Sequence, residues 1–185
     1  MRIIAGSARS LKLRTPEGLD TRPTSDQIKE TLFNILQADI PDCRFLDLFA
    51  GSGQIGLEAL SRGAREAVFV EHNKKACSCI TENIRHTGFE KQARLLSVDV
   101  SAAIRTLDGG EAFDLIFMDA PYHEKLTEPV LAQLAASSLV DNRTLIIAEA
   151  ALDAPVTVSP DWGLTVTRCK QYKTNAHYFL RREIL

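Results

Sequence analysis

The sequence predicts an α/β domain: a mostly parallel sheet covered by helices on both faces, with an antiparallel hairpin at its C-terminal edge. Three observations carry this. From residue 44 onward, short apolar runs alternate with helical stretches, the pattern of parallel strands joined by crossover helices. The first of those runs enters a glycine turn, "FAGSGQIG". The last two strand-like stretches, "LTVTRCKQY" and "AHYFLRRE", have no helix between them.

The elements follow in order. "RIIAG" and "LKLRT" alternate apolar and polar residues around Gly6 and Ser7, which suits a short hairpin. A loop with Pro16, Gly18 and Pro23 comes next. "TSDQIKETLFNIL" reads as a helix capped by Thr24 or Ser25, with Ile28, Leu32, Ile35 and Leu36 on one face. Residues 1–40 are therefore expected to form a hairpin-and-helix appendage, and residues 41–185 the main domain. There "RFLDLFA" is the first strand and "IGLEALSRGA" a helix stopping near Gly63. "EAVFVE" is the second strand and "NKKACSCITENIRHTG" a helix stopped by Gly88. "ARLLSVD" is the third strand, followed by a short helix. "FDLIFMD" is the fourth, "HEKLTEPVLAQLAASSL" a helix and "RTLIIAEA" the fifth. With the late pair the sheet counts seven strands.

Composition bounds the class. The chain has 185 residues, 45% hydrophobic and 25% charged, enough for one domain with a full core. No apolar run reaches the length of a membrane span. The basic start lacks the apolar stretch of a signal peptide. A soluble cytoplasmic protein with no membrane contact is expected. Cys43, Cys77, Cys79 and Cys169 lack zinc-ligand spacing, and the four histidines are scattered, so free thiols and no metal are expected. No strong apolar surface stripe is evident, and a monomer is the expectation. The net charge of −2 is unevenly spread. Residues 1–29 hold six Lys/Arg against three Asp/Glu, residues 168–185 five against one, and the middle is acidic. Basic ends on an acidic body could place cations where a polyanion docks.

In a parallel sheet, ligands bind beyond the carboxyl ends of the strands. Four proposed strands carry an acid there: Asp47, Glu71, Asp99 and Asp119. Gly51, Gly53 and Gly56 form a G-x-G-x-x-G match, and Glu71 lies 20 positions after Gly51. That spacing fits a dinucleotide site with the acid on a ribose. Asp47 argues otherwise, because a carboxylate beside the loop repels a pyrophosphate and attracts a cation. S-adenosylmethionine carries an ammonium and a sulfonium beside a ribose and an adenine. Glu71 would accept from the ribose hydroxyls, Asp99 from the adenine amine, and Val100 would offer a backbone N–H. His72, beside Glu71, completes this set.

"DAPY", residues 119–122, ends the fourth strand. Methyl transfer is an in-line displacement in which the enzyme mainly aims a lone pair at the sulfonium carbon. The Asp119 carboxylate and the Ala120 carbonyl could accept N–H bonds from an exocyclic amine and turn its nitrogen toward tetrahedral geometry. Pro121 holds the turn rigid. Tyr122 can stack on a flat base. A free aspartate is a weak base, so Asp119 would position the amine first and accept a proton late.

"DLFAGSG" followed by "DAPY" resembles the amino-methyltransferases with an Asp/Asn-Pro-Pro-aromatic motif. "RIIAGSARSLKL", "TRPTSDQIKETLFNIL" and "FLDLFAGSGQIGLEALSRGA" narrow the resemblance to the RsmD family, bacterial 16S rRNA guanine-N2 methyltransferases of the small ribosomal subunit. The resemblance covers nearly the whole chain. It implies a Rossmann-like class I S-adenosylmethionine-dependent methyltransferase fold. It also implies S-adenosylmethionine as cofactor and 16S rRNA, within a small-subunit particle, as partner. The cofactor contacts would fall on Asp47, Phe49, Gly51, Gly53, Glu71 and Asp99, and the catalytic motif on Asp119 through Tyr122. The "RPT-D" segment would put Arg22, Pro23, Thr24 and Asp26 near the active-site mouth. Arg2, Arg9, Lys12, Arg14 and Arg22 are candidate phosphate contacts, with Arg168, Lys170 and Lys173 as further ones. The chain departs from the family at Ala120, where a proline is usual, and at Gln27 and Lys29, where arginines are usual. Motif spacing does not tell one amine from another, which leaves adenine-N6 or protein-amide methylation open. An NAD-binding oxidoreductase and a cofactor-binding module without catalysis are the readings from other classes.

Overall fold

A computed structural model describes residues 1–18 and 24–183 of the chain. The elements run α1 (Asp26–Ile35), β1 (Arg44–Leu48), α2 (Gln54–Ser61), β2 (Glu66–Val70), α3 (Lys74–Thr87), β3 (Ala93–Leu96), α4 (Val100–Leu107), β4 (Leu115–Met118), α5 (Thr127–Ala136), β5 (Leu145–Ala151), β6 (Leu164–Gln171) and β7 (Asn175–Arg182). Seven strands make one sheet in the order β3-β2-β1-β4-β5-β7-β6. The first five are parallel, and β7 pairs antiparallel with both β5 and β6. The strand order reverses between β1 and β4, the point at which such sheets open a crevice.

Two apolar layers sandwich the sheet. Leu46, Leu48, Val68, Val70, Ile116 and Met118 pack against Val100, Ile104, Val130, Leu131 and Leu134 of α4 and α5. Phe45, Phe69, Phe117, Ile147 and Phe179 pack on the other face with Leu32, Phe33, Leu57 and Ile80. Side chains alternate faces along a strand, so an apolar run buried on both sides supplies both layers.

Ser25 caps α1, its hydroxyl accepting from the Ile28 N–H at 3.2 Å. The N-terminal hairpin is slighter than expected, with a single bridge, Arg2 to Lys12. Its apolar residues Ile3, Ala8 and Leu13 join the core beside α1 and the sheet, so burial holds this segment more than strand pairing does. A fully buried ion pair also anchors it. Glu58 accepts from the Ile4 and Ala5 N–H groups and from Arg62, and lies 3.5 Å from Lys29 Nζ. Lys29 also donates to the Arg2 carbonyl. Burial lowers the Lys29 pKa, partly offset by Glu58. Lys29, one of the departures from the family pattern, is therefore an interior strut rather than a surface cation.

β3 stops at Leu96, earlier than the sequence pattern implied. Asp99 takes no part in it. It is the N-cap of α4 and accepts from the Ala102 N–H at 2.9 Å.

Candidate active site

A cavity of about 510 Å³ opens at the carboxyl ends of β1, β2 and β4. Strand register explains its chemistry. Asp47 pairs with Phe69 on one side and Phe117 on the other. Glu71 and Asp119 follow two residues after those partners, so all three acids project from one face of the sheet. All three line the cavity, and no Lys or Arg does among the described residues.

Asp47 is 1% exposed. Its Oδ2 accepts from the Gly56 N–H, in the first turn of α2, at 3.0 Å. Burial pushes its pKa up to about 7; the Gly56 bond opposes this and Glu71 adds to it. A helix N-terminus is the usual seat of a phosphate, and here a side-chain carboxylate already fills it. Gly56 itself answers to packing, because a Cβ there would lie 2.4 Å from the Phe69 ring. Gly51, which lines the cavity, has φ +59° and open space where a Cβ would be.

Glu71 accepts from the Gly51 N–H at 3.0 Å and the Asn73 N–H at 2.8 Å, one on each oxygen. A carboxylate offers about four acceptor sites, so two remain for a diol. His72 is exposed, with Nδ1 3.7 Å from Glu71. Phe49 lines the cavity with φ 60°, a conformation costing a bulky residue about 1–3 kcal/mol and found where a site demands it. Val100 lines the cavity wall, and as the first residue of α4 its N–H has no partner within the helix.

Sequence reasoning missed Gln54. It lines the cavity, and its Oε1 is a buried polar atom without a hydrogen-bond partner among the described residues. An unpaired buried acceptor is costly unless a ligand donates to it. Three carboxylates and this oxygen fit a cationic, donor-rich molecule such as S-adenosylmethionine, held by Asp47, Gln54 and Glu71.

Other expected residues lie elsewhere. Gly53 turns left-handed and packs toward Ile80 and Phe69 rather than into the cavity. Asp99 caps α4 through Oδ1 and does not line the cavity, although Val98 and Val100 do. Thr24 lines it, whereas Asp26 pairs with Arg2 at 3.1 Å. Arg22 and Pro23 fall outside the described residues. Arg9 is exposed on the N-terminal turn. Arg14 pairs with Glu82 at 2.5 Å beside a different groove. Lys170 sits over the Tyr172 ring at 5.8 Å.

Asp119 stands at the cavity edge with Pro121. No described group donates a hydrogen bond to its carboxylate. Its pKa is raised well above the ordinary 3.8, first by desolvation, then by Glu149 and Asp47. Ala120 is buried and Tyr122 is 49% exposed, and neither lines the cavity wall. The Tyr122 hydroxyl donates to Glu149 at 3.3 Å. Glu149 is a second residue that sequence reasoning missed. It accepts from Asn175 at 2.7 Å and meets His177 Nε2 at 2.9 Å, both buried. Its signal was available: an acid inside "LIIAEAA" and a histidine inside "AHYFL" are ionisable residues in apolar strands, and buried charges need partners.

The sheet order, with an acid-rimmed cavity at its reversal point, defines a class I methyltransferase fold. The chain belongs to the family described as Conserved hypothetical protein 95, whose model matches residues 1–181. Relatives named Ribosomal RNA small subunit methyltransferase D are 34% identical in Haemophilus influenzae, over 89% of this chain and 86% of that protein. The Escherichia coli K12 relative of the same name is 33% identical, over 89% and 82%. The yhhF structure of Escherichia coli superposes with a TM-score of 0.87 at 31% identity, covering 100% of this chain and 99% of that one. A hypothetical protein of Thermus thermophilus gives 0.84 at 33%, covering 100% and 99%. No described helix is long and apolar enough to cross a membrane, and no group of three or more metal-ligating side chains occurs among the described residues.

Proposed function

We propose that this protein methylates the exocyclic N2 amine of a guanine in 16S rRNA with S-adenosylmethionine as donor. The observation that carries the cofactor is the cavity itself: Asp47, Glu71 and Asp119 face it with no Lys or Arg among the described lining residues. A pyrophosphate there would meet three carboxylates and find the α2 N-terminus filled by Asp47, which disfavours NAD. A fold neighbour, SMU.776, was solved in complex with SAH; it is 17% identical with a TM-score of 0.70, covering 89% of this chain and 51% of that one. The rRNA substrate rests on the names of the two methyltransferase D relatives, and guanine N2 on the resemblance of the motif to that family.

The bound donor would supply an electrophilic methyl group. The chain's own groups do the rest. Asp119 and the Ala120 carbonyl accept the two N–H bonds of the amine and hold its lone pair outward. Pro121 stiffens the turn. Tyr122, tethered to Glu149, presents its ring to the base. Methylation leaves nitrogen with an acidic proton, and Asp119, with its raised pKa, is suited to accept it.

A labelled-methyl assay on small-subunit particles, naked rRNA, DNA and total protein tests this reading. Label in the guanine of small-subunit RNA is expected. Label confined to DNA or protein would discard the substrate, and no transfer to any would discard the activity.

A further inference from the structure

A second cavity, about 580 Å³, lies outside the site described above, between the N-terminal segment and α3. Lys12, Arg14, Arg85 and His86 line it, against a single acid, Glu82. The acidic balance of residues 30–167 concealed this, because α3 lends Arg85 and His86 to a patch begun by the N-terminus.

The groove is built on a fixed backbone. Asn83 is buried, and its Oδ1 accepts from the Arg14 N–H at 2.8 Å. Its Nδ2 donates to the Arg14 carbonyl at 3.0 Å and to the Ser52 carbonyl of the glycine loop at 2.9 Å. One amide thus locks the N-terminal segment onto α3 and onto the loop that forms the cofactor cavity. Thr15 and Pro16, the next two residues, line that cavity. Consecutive residues of one segment therefore line two hollows, one cationic and the other carboxylate-lined. The ion pair of Arg14 with Glu82 is exposed, 76% and 45%, and such pairs hold little energy, so Arg14 can turn to a stronger anion.

We propose that this groove binds the phosphate backbone of the RNA whose base enters the neighbouring cavity, with Arg85 and His86 as new contacts beside Lys12 and Arg14. The proposal rests on the rRNA reading above. Separated surfaces of this kind let cations hold the strand without placing a cation beside the methyl donor. A basic last turn also offsets a helix dipole, and that role alone predicts a change in stability with no change in RNA binding.

The test uses the full chain. Binding to deproteinised 16S rRNA is titrated at several salt concentrations for wild type, for the Lys12→Glu/Arg85→Glu double variant, and for Arg143→Glu. Arg143 is exposed before β5, outside the residues that line the groove, and controls for a charge reversal elsewhere on the surface. The double variant is expected to bind about tenfold or more weakly and to lower the slope of log K against log salt by roughly 1.5, since each lost phosphate contact removes about 0.7–0.9. Its S-adenosylmethionine affinity should equal wild type. An unchanged slope, or an equal loss in Arg143→Glu, overturns the proposal. Wild-type protein that transfers no methyl group to small-subunit particles or to this RNA removes the rRNA reading and this proposal with it. Wild-type transfer with an unimpaired double variant removes this proposal alone.

Discussion

The Gly56 N–H donates to Asp47 Oδ2 at 3.0 Å inside the first turn of α2. That bond places a carboxylate where related sheets seat a phosphate. It holds the acid in an interior that resists its charge, and the pKa of about 7 records the conflict. A cation in the cavity would relieve it.

Stability should therefore depend on pH. The native state keeps a proton on Asp47 up to about pH 7, whereas the unfolded chain releases it near the ordinary 3.8. Stability falls as pH rises between those values and levels off above, by about 4 kcal/mol from this group. Asp119 is shifted in the same direction. Asp47→Asn keeps an acceptor for Gly56 without the charge. Urea unfolding at pH 5 and pH 8 should show a smaller drop for this variant than for wild type. Equal drops would mean that Asp47 is not the source.

Asp119→Ala should retain S-adenosylmethionine binding and lose methyl transfer by about a hundredfold or more, the scale of a lost polar group that acts on the reacting atoms. Calorimetry and a labelled-methyl assay check the two halves. Full transfer by the variant would remove Asp119 from the reaction.

Glu149→Gln should move the acid limb of the transfer pH profile to lower pH. Glu149 is one of the groups raising the Asp119 pKa, and glutamine retains an acceptor for Asn175 and Tyr122. An unmoved limb would show that the Glu149 charge does not act on Asp119.

Gly56→Ala should destabilise the protein by about 1–3 kcal/mol, because a Cβ there meets the Phe69 ring at 2.4 Å and overpacked cores cost that much. Thermal unfolding measures it. A neutral result would mean that Phe69 moves aside freely.

The order of strands and helices was legible because apolar periodicity and glycine stops were local signals. Asp47, Glu71 and Asp119 were legible for a related reason: each ends a strand, and parallel strands bring their ends together. Asp99 caps α4 rather than ending β3, a distinction the sequence hides because a strand-end acid and a helix cap look alike there. Glu149 and His177 meet only through the antiparallel pairing of β5 and β7, a contact 28 residues apart that periodicity does not announce. Gln54 resembled a residue of the glycine turn, and only the fold shows that it lines the cavity with a buried, unpaired oxygen. Lys29 stood out in the sequence only as a replacement for a usual arginine, and its burial against Glu58 of α2 is a contact the fold alone makes.

Calorimetric titration of S-adenosylmethionine and NAD into wild type and Asp47→Asn tests the central claim most directly. The account predicts that S-adenosylmethionine binds wild type, more tightly as pH rises through about 7, that Asp47→Asn loses at least about tenfold in affinity, and that NAD does not bind. Tighter binding of NAD, or indifference of S-adenosylmethionine to the Asp47 charge, would contradict it.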